Sequence, residues 1–140
     1  MIDGIKITPL KQIVDEKGKI MHMIRNDSKI FEKFGEFYFS TVNPGFVKAW
    51  HLHKENTLNY VCIKGKVKLV LLDDRKDSST YGKKESFTLN SETGNALFIP
   101  RGIYHAFVTL TDNTKCLAIS NRPFDQKNPD VYKIPISKIM

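Results

Sequence analysis

Turn-forming residues punctuate this chain at short intervals, and that spacing limits what it can fold into. The marks are Pro9, Gly18, NPG at 43–45, Gly65, DSSTYG at 77–82, ETG at 92–94, PRG at 100–102 and TDN at 111–113. Between them lie KIMHMIR, EFYFSTV, KVKLVLLD, ALFIP and HAFVTL, rich in Val, Ile, Phe, Tyr and Thr. Such residues suit a pleated, half-buried surface. Many short strands at this spacing predict an all-β sandwich or barrel. The one helical candidate is DSKIFEKF (27–34), with Asp27 or Ser28 as cap and Ile30, Phe31 and Phe34 facing a core.

With 140 residues, 41% of them hydrophobic, the chain has the length of one ordinary domain and enough apolar material for a real core. Residues 1–140 are therefore read as a single domain. The last stretch, 121–140, carries three prolines and is expected to wrap the surface as edge or loop structure.

Lys and Arg number 22 against 15 Asp and Glu, a net charge of +7, which favours an anionic partner. The basic residues are scattered, and neither a recognition-helix pattern nor an RNP-like aromatic motif accompanies them, so nucleic acid is not expected. A small phosphorylated ligand would use the same surplus. Cys62 and Cys116 are far apart in apolar stretches and read as buried small hydrophobes, not a disulfide framework. The N-terminus lacks the pattern of a leader, and no apolar run is long enough to span a bilayer. The expectation is a cytoplasmic protein with no membrane partner.

The chemistry gathers in GFVKAWHLHKENTLNYVCIKG (45–65). Side chains alternate across a strand, so His51 and His53 share a face and Leu52 takes the other. Two imidazoles turned into a core would both need partners. That face is wet, catalytic or metal-bearing. His22 lies apart from this pair and reads as a satisfied or surface imidazole.

The spacing of Gly45, His51, His53, Leu58 and Gly65, followed by Gly94, Pro100, Gly102 and His105, resembles the two motifs of the cupin superfamily. The resemblance implies a double-stranded β-helix, a jelly-roll barrel whose histidines project into its mouth. Cupins that hold a divalent metal use three histidines and a carboxylate. Here Leu58 stands in the place of the family's Glu, and Thr109 in that of its terminal Asn. No metal and no cofactor are therefore expected; ligation by His51, His53 and His105 alone is the alternative.

A narrower resemblance lies in LLDDRKDSSTYG (71–82) and ALFIPRGIYHAF (96–107). These stretches are similar to those of the dTDP-4-dehydrorhamnose 3,5-epimerase family. The match covers roughly 35–120. It implies a metal-free cupin that binds a nucleotide-linked 4-keto sugar and inverts a carbon beside the carbonyl by removing and returning a proton. By the same resemblance, His51 matches the catalytic base, His105 the second-motif histidine and Lys48 a substrate-holding cation. Imidazole suits the task, since its pKa lies near the working pH. Lys48, Lys54 or His53 would stabilise the enolate. Tyr60, on the face of Leu58, is a candidate proton donor, and Arg101 a candidate substrate-binding residue. A homodimer is expected as well.

Thr57, Leu58 and Asn59 occupy the region of the family's catalytic lysine, and ISNRPF (119–124) lacks its tyrosine acid. The carboxylate that orients the base comes from a C-terminal segment in the family, where Asp125 or Asp130 would stand in. HLHK (51–54) also resembles the nucleotide-sugar 3,4-ketoisomerases. A metal-dependent cupin and a non-catalytic sugar-nucleotide-binding protein remain as further alternatives. Asp73, Asp74 and Arg75 read as a structural ion-pair cluster, Tyr104 as outside the cavity, and Trp50 as packing in a second layer or at a subunit contact.

Overall fold

A computed structural model describes residues 1–43 and 45–135. Twelve strands and no helix occur among them: β1 (Lys6–Pro9), β2 (Lys11–Asp15), β3 (Gly18–His22), β4 (Glu36–Thr41), β5 (Val47–Leu52), β6 (Leu58–Lys64), β7 (Lys66–Asp73), β8 (Lys84–Asn90), β9 (Asn95–Ile99), β10 (Ile103–Thr109), β11 (Lys115–Ser120) and β12 (Tyr132–Lys133). One sheet runs β1-β9-β6-β11-β4 and a second β12-β5-β10-β7-β8, while β2 and β3 form a separate hairpin. All pairings are antiparallel. The two larger sheets form the jelly-roll barrel of a cupin.

Alternation of side chains builds the core. In β7, Val67, Leu69, Leu71 and Asp73 all point inward and are buried, with Lys66 and Lys68 exposed between them. The strand β6 is covered on both faces. Leu58, Tyr60 and Cys62 join the main core, and Val61 packs with Leu10 and Ala96 beneath Met21 and Met23. In β4 the alternation is reversed in chemistry: Phe37 and Phe39 point outward, and Tyr38 points in.

Two glycines make the corners possible. Gly65 alone joins β6 to β7 with a φ of +80°, and a Cβ there would collide with the hydroxyls of Thr111 and Thr114. Gly102 (φ +81°) links β9 to β10; its N–H donates to the carbonyl of His53 at 2.8 Å, tying the two motif turns together.

The expected helix at 27–34 does not form. Ser28 N–H donates to the Arg25 carbonyl and Phe31 N–H to the Ser28 carbonyl, each at 3.0 Å, so the segment is a pair of tight turns. The would-be caps are engaged elsewhere. Ser28 Oγ accepts from Arg25 N–H, and the Arg25 guanidinium clamps the Asp27 carboxylate at 2.9 and 3.1 Å. Eight residues without a cap do not offset the cost of nucleating a helix.

The two cysteines, distant in sequence, are free, buried and directly opposite each other on β6 and β11. Trp50 is fully buried on the face of β5 that also carries Leu52. His22 is exposed on β3. Of the expected terminal segment 121–140, residues 136–140 lie outside the described residues; Tyr132 and Lys133 pair with Leu52 and His51 at the edge of the second sheet. Among the described residues, no helix is long and apolar enough to cross a membrane.

Candidate active site

A cleft of about 440 Å³ opens between the two sheets. The second sheet contributes a wall of imidazoles. His51 on β5 lies directly opposite His105 on β10, with ring centroids 6.0 Å apart, and His53, just past β5, lies 5.4 Å from His105. The first sheet contributes a wall of phenols: Tyr38 on β4 and Tyr60 on β6, their hydroxyls 3.4 Å apart. Phe107 packs edge-on against both Tyr60 and His105, at 4.9 and 5.6 Å between centroids.

Burial sets the protonation states. His105 is 3% exposed, and neither ring nitrogen has a hydrogen-bond partner among the described residues. That burial, reinforced by His53 and His51, holds its pKa well below the usual imidazole range, so the ring is neutral. His51 is only half-buried, and its pKa is lowered by desolvation first, then by Lys133, His53 and Lys48. It is a neutral imidazole at neutral pH, hence a base. Tyr60 shifts the other way: burial, then Tyr38, raises it well above the usual phenol value. It keeps its proton and is a donor.

The orientation of the His53 ring is fixed by geometry. Its Nδ1 lies 2.6 Å from the main-chain carbonyl oxygen of Asp130, which can only accept, so Nδ1 carries a proton and donates it while Nε2 is left to the cleft. The Asp130 carboxylate meanwhile accepts the N–H groups of Lys54 at 2.9 Å and of Glu55 and Asn56 at 2.8 Å. This differs from the expected arrangement in two respects. Asp130 holds its histidine through a carbonyl, not a carboxylate, and the histidine it holds is His53, not His51. Its carboxylate is already occupied in capping the turn that follows β5.

The cleft thus brings together His51, His53, His105, Tyr60 and Lys48, whose Nζ lies 3.5 Å from Ser40 Oγ. Lys54 and Arg101 are placed elsewhere. The ammonium of Lys54 sits 4.3 Å over the Tyr132 ring. Arg101 donates to the Glu55 carbonyl at 2.8 Å and forks onto the Glu32 carboxylate at 3.1 and 2.7 Å, so it straps loops together. Tyr104 is not among the lining residues. Among the described residues, no group of three or more His, Cys, Asp or Glu is disposed to hold a metal ion.

The lining also includes residues that sequence reasoning missed: Tyr38, Lys133 and Arg122, the last paired with Glu55. Tyr38 was legible in principle, because outward Phe37 and Phe39 force it inward. Lys133 had no local signal, since it reaches His51 only through the pairing of β12 with β5.

The segment carrying the narrower resemblance turns out to be a structural knot. The buried Asp73 carboxylate accepts from Arg75 Nε at 2.8 Å and Nη2 at 2.9 Å, from Ser78 at 2.7 Å and from Thr80 at 2.6 Å. Arg75 also reaches the Asp3 carbonyl at 2.5 Å, anchoring the N-terminus.

Comparison with known proteins places this fold in a family. The family model described as dTDP-4-dehydrorhamnose 3,5-epimerase matches residues 1–135. The probable low-salt glycan biosynthesis epimerase Agl13 of Haloferax volcanii is 31% identical over 139 residues, covering 96% of this chain and 88% of its own length. The spore coat polysaccharide biosynthesis protein SpsL of Bacillus subtilis is 29% identical over 136 residues, covering 96% and 90%. The crystal structure of a dTDP sugar isomerase from Desulfovibrio desulfuricans G20 superposes with a TM-score of 0.88 at 32% identity, over 99% of this chain and 88% of that one. Matched by the family model over residues 1–135 and by these relatives over most of its length, the chain belongs to the dTDP-4-dehydrorhamnose 3,5-epimerase family of isomerases.

Proposed function

We propose that the protein epimerises a nucleotide-linked 6-deoxysugar at a carbon beside its 4-keto group, and that it does so as a cytoplasmic homodimer serving surface polysaccharide synthesis. One observation carries the chemistry: the neutral imidazoles of His51 and His105 face the protonated phenols of Tyr38 and Tyr60 across one cleft. Inversion at carbon needs a base on one side and an acid on the other. His51 takes the carbon-bound proton; the resulting enolate leans on the Lys48 ammonium; Tyr60 returns a proton from the opposite face. His53, held by its Nδ1, turns its Nε2 toward a sugar hydroxyl. His105 completes the substrate-facing wall.

The names of the Haloferax and Bacillus relatives support a role in glycan assembly. The free cysteines are compatible with a reducing compartment. Phe37 and Phe39, 58% and 66% exposed on the edge strand β4, support pairing of two chains.

A second reading rests on the same wall. Two imidazoles side by side, His51 and His53, also suit a 3,4-ketoisomerase, which shuttles protons along one face. The test is incubation with nucleoside diphosphate 4-keto-6-deoxysugars in deuterium oxide. Label at carbon 3, or at carbons 3 and 5, with inverted configuration is the expected result, and His51→Asn should lose it while still binding nucleotide. Label with the carbonyl moved to carbon 3 means the ketoisomerase. Binding without any label would leave a non-catalytic sugar-nucleotide-binding protein.

A further inference from the structure

Proton return poses a problem that the site itself answers. Tyr60 is 3% exposed and lies at the floor of the cleft, in edge-on contact with His105 and Phe107. Once it has given up its proton it is a buried phenolate with no cationic side chain bonded to it among the described residues, and it must be reprotonated before another turnover. Among the described residues, its one side-chain hydrogen bond is to Tyr38.

The way these phenols meet is specific. Tyr38 and Tyr60 sit on β4 and β6, which are not neighbours; β11 runs between them. In register, Ala118 of β11 is the partner of both tyrosines. Ala118 is fully buried and offers only a methyl group, so the two rings lean across the intervening strand until their hydroxyls come within 3.4 Å. A larger inward side chain at 118 would fill that space. Tyr38 is also the more accessible of the pair: it is half-buried on the edge strand, while Tyr60 is in the centre of the sheet.

We propose that Tyr38 and Tyr60 form a two-phenol proton relay over Ala118, in which Tyr38 orients the Tyr60 hydroxyl and restores its proton from the mouth of the cleft. The inference rests on the epimerase reading above. The protons balance as follows. The His51 imidazole takes the hydrogen from carbon as a proton, and the electron pair moves onto the carbonyl oxygen as an enolate. The enolate carbon then takes the Tyr60 proton from the opposite face as the carbonyl re-forms. The Tyr60 phenolate takes the Tyr38 proton, Tyr38 takes one from solvent, and His51 releases its own to solvent. Burial raises the proton affinity of Tyr60 further than that of Tyr38, which favours transfer back toward Tyr60.

Tyr38 acts through Tyr60, so it is a positioning and relay residue, and its test must separate inversion from proton removal. In deuterium oxide, an enzyme that keeps its base but lacks its acid removes the proton, exchanges it on the imidazole and returns deuterium to the same face. Tyr38→Phe keeps the ring and its packing. The expected result is that inversion falls by about 10²-fold while exchange with retained configuration persists within a few-fold of wild type. An unchanged ratio of inversion to exchange would overturn the relay and leave the epimerase reading intact. Loss of exchange together with inversion would also overturn it, because Tyr38 would then be needed for binding or proton removal. If wild type neither exchanges nor inverts any substrate, the epimerase reading fails and the relay with it. A spectrophotometric titration of the phenols gives a second reading that needs no turnover. Tyr60 should ionise at a lower pH in Tyr38→Phe than in wild type, and an unchanged Tyr60 titration would mean the two hydroxyls are not coupled.

Discussion

Nδ1 of His53 and the carbonyl oxygen of Asp130 meet at 2.6 Å, although 77 residues separate them in the chain. The same aspartate caps three successive N–H groups, those of Lys54, Glu55 and Asn56. One residue therefore fixes a ring orientation with its backbone and the adjoining turn with its side chain. The C-terminal segment closes the cleft by gripping the first motif.

Asp130→Ala should loosen both contacts, because the carbonyl stays near His53 only while the side chain holds the turn. Hydrogen bonds to a charged acceptor contribute about 1.5–3 kcal/mol each when well formed, and these are partly exposed, so a loss of about 2 kcal/mol is expected. Urea unfolding should show a lower midpoint with an unchanged slope, and kcat/KM should fall with it. Asp130→Asn, which keeps one acceptor oxygen, should lose less of both.

Lys133 lies opposite His51 in register and helps hold its pKa down. The sign follows directly: a nearby cation disfavours the imidazolium, so the base stays neutral further into the acid range. Lys133→Gln removes that repulsion. The acid limb of the pH profile for deuterium exchange should move to higher pH, toward the ordinary imidazole value of about 6.5. An acid limb that stays in place would mean that Lys133 does not set the charge on His51.

How far this was legible in the sequence differs by residue, for physical reasons. His51, His53 and His105 were readable because strand parity and glycine spacing are local. The helix expected at 27–34 was not, because Arg25, Asp27 and Ser28 satisfy one another in turns. Tyr38 is readable only once Phe37 and Phe39 are known to point outward, because all three of these residues are aromatic. Asp130 was noticed as a possible orienting carboxylate, yet sequence cannot tell a main-chain acceptor from a side-chain one. The ion pair of Arg101 with Glu32 has no local signal, since 69 residues separate the two.

The Asp73 knot makes a prediction about stability. Burial opposes the charged form, but hydrogen bonds from Arg75, Thr80 and Ser78 outweigh it and hold the carboxyl well below the usual range. A carboxylate lowered in the folded state adds stability that is present above its unfolded pKa, about 3.9, and is lost as pH falls below it. Asp73→Asn keeps one acceptor oxygen but removes the charge that balances Arg75, and should cost about 3 kcal/mol at neutral pH. The gap to wild type should narrow below about pH 3.9. Exchange per folded molecule should stay within a few-fold, since Asp73 lines no part of the cleft.

Phe39 offers the test of assembly. On β4 the alternation that turns Tyr38 toward the cleft turns Phe37 and Phe39 to the outside, where Phe39 sits beside Leu117 and Phe37 beside Ile119 on β11. An edge strand carrying two exposed aromatics is a surface that a second copy of the chain would cover, and aromatic residues dominate the energetics of such interfaces. Wild type should scatter light as twice the 16.1 kDa chain mass. Phe39→Asp places a charge in the middle of that surface without touching the inward face, so it should sediment as one 16.1 kDa chain. A variant that remains paired would place the interface elsewhere. A wild type with the mass of one chain would remove the dimer altogether.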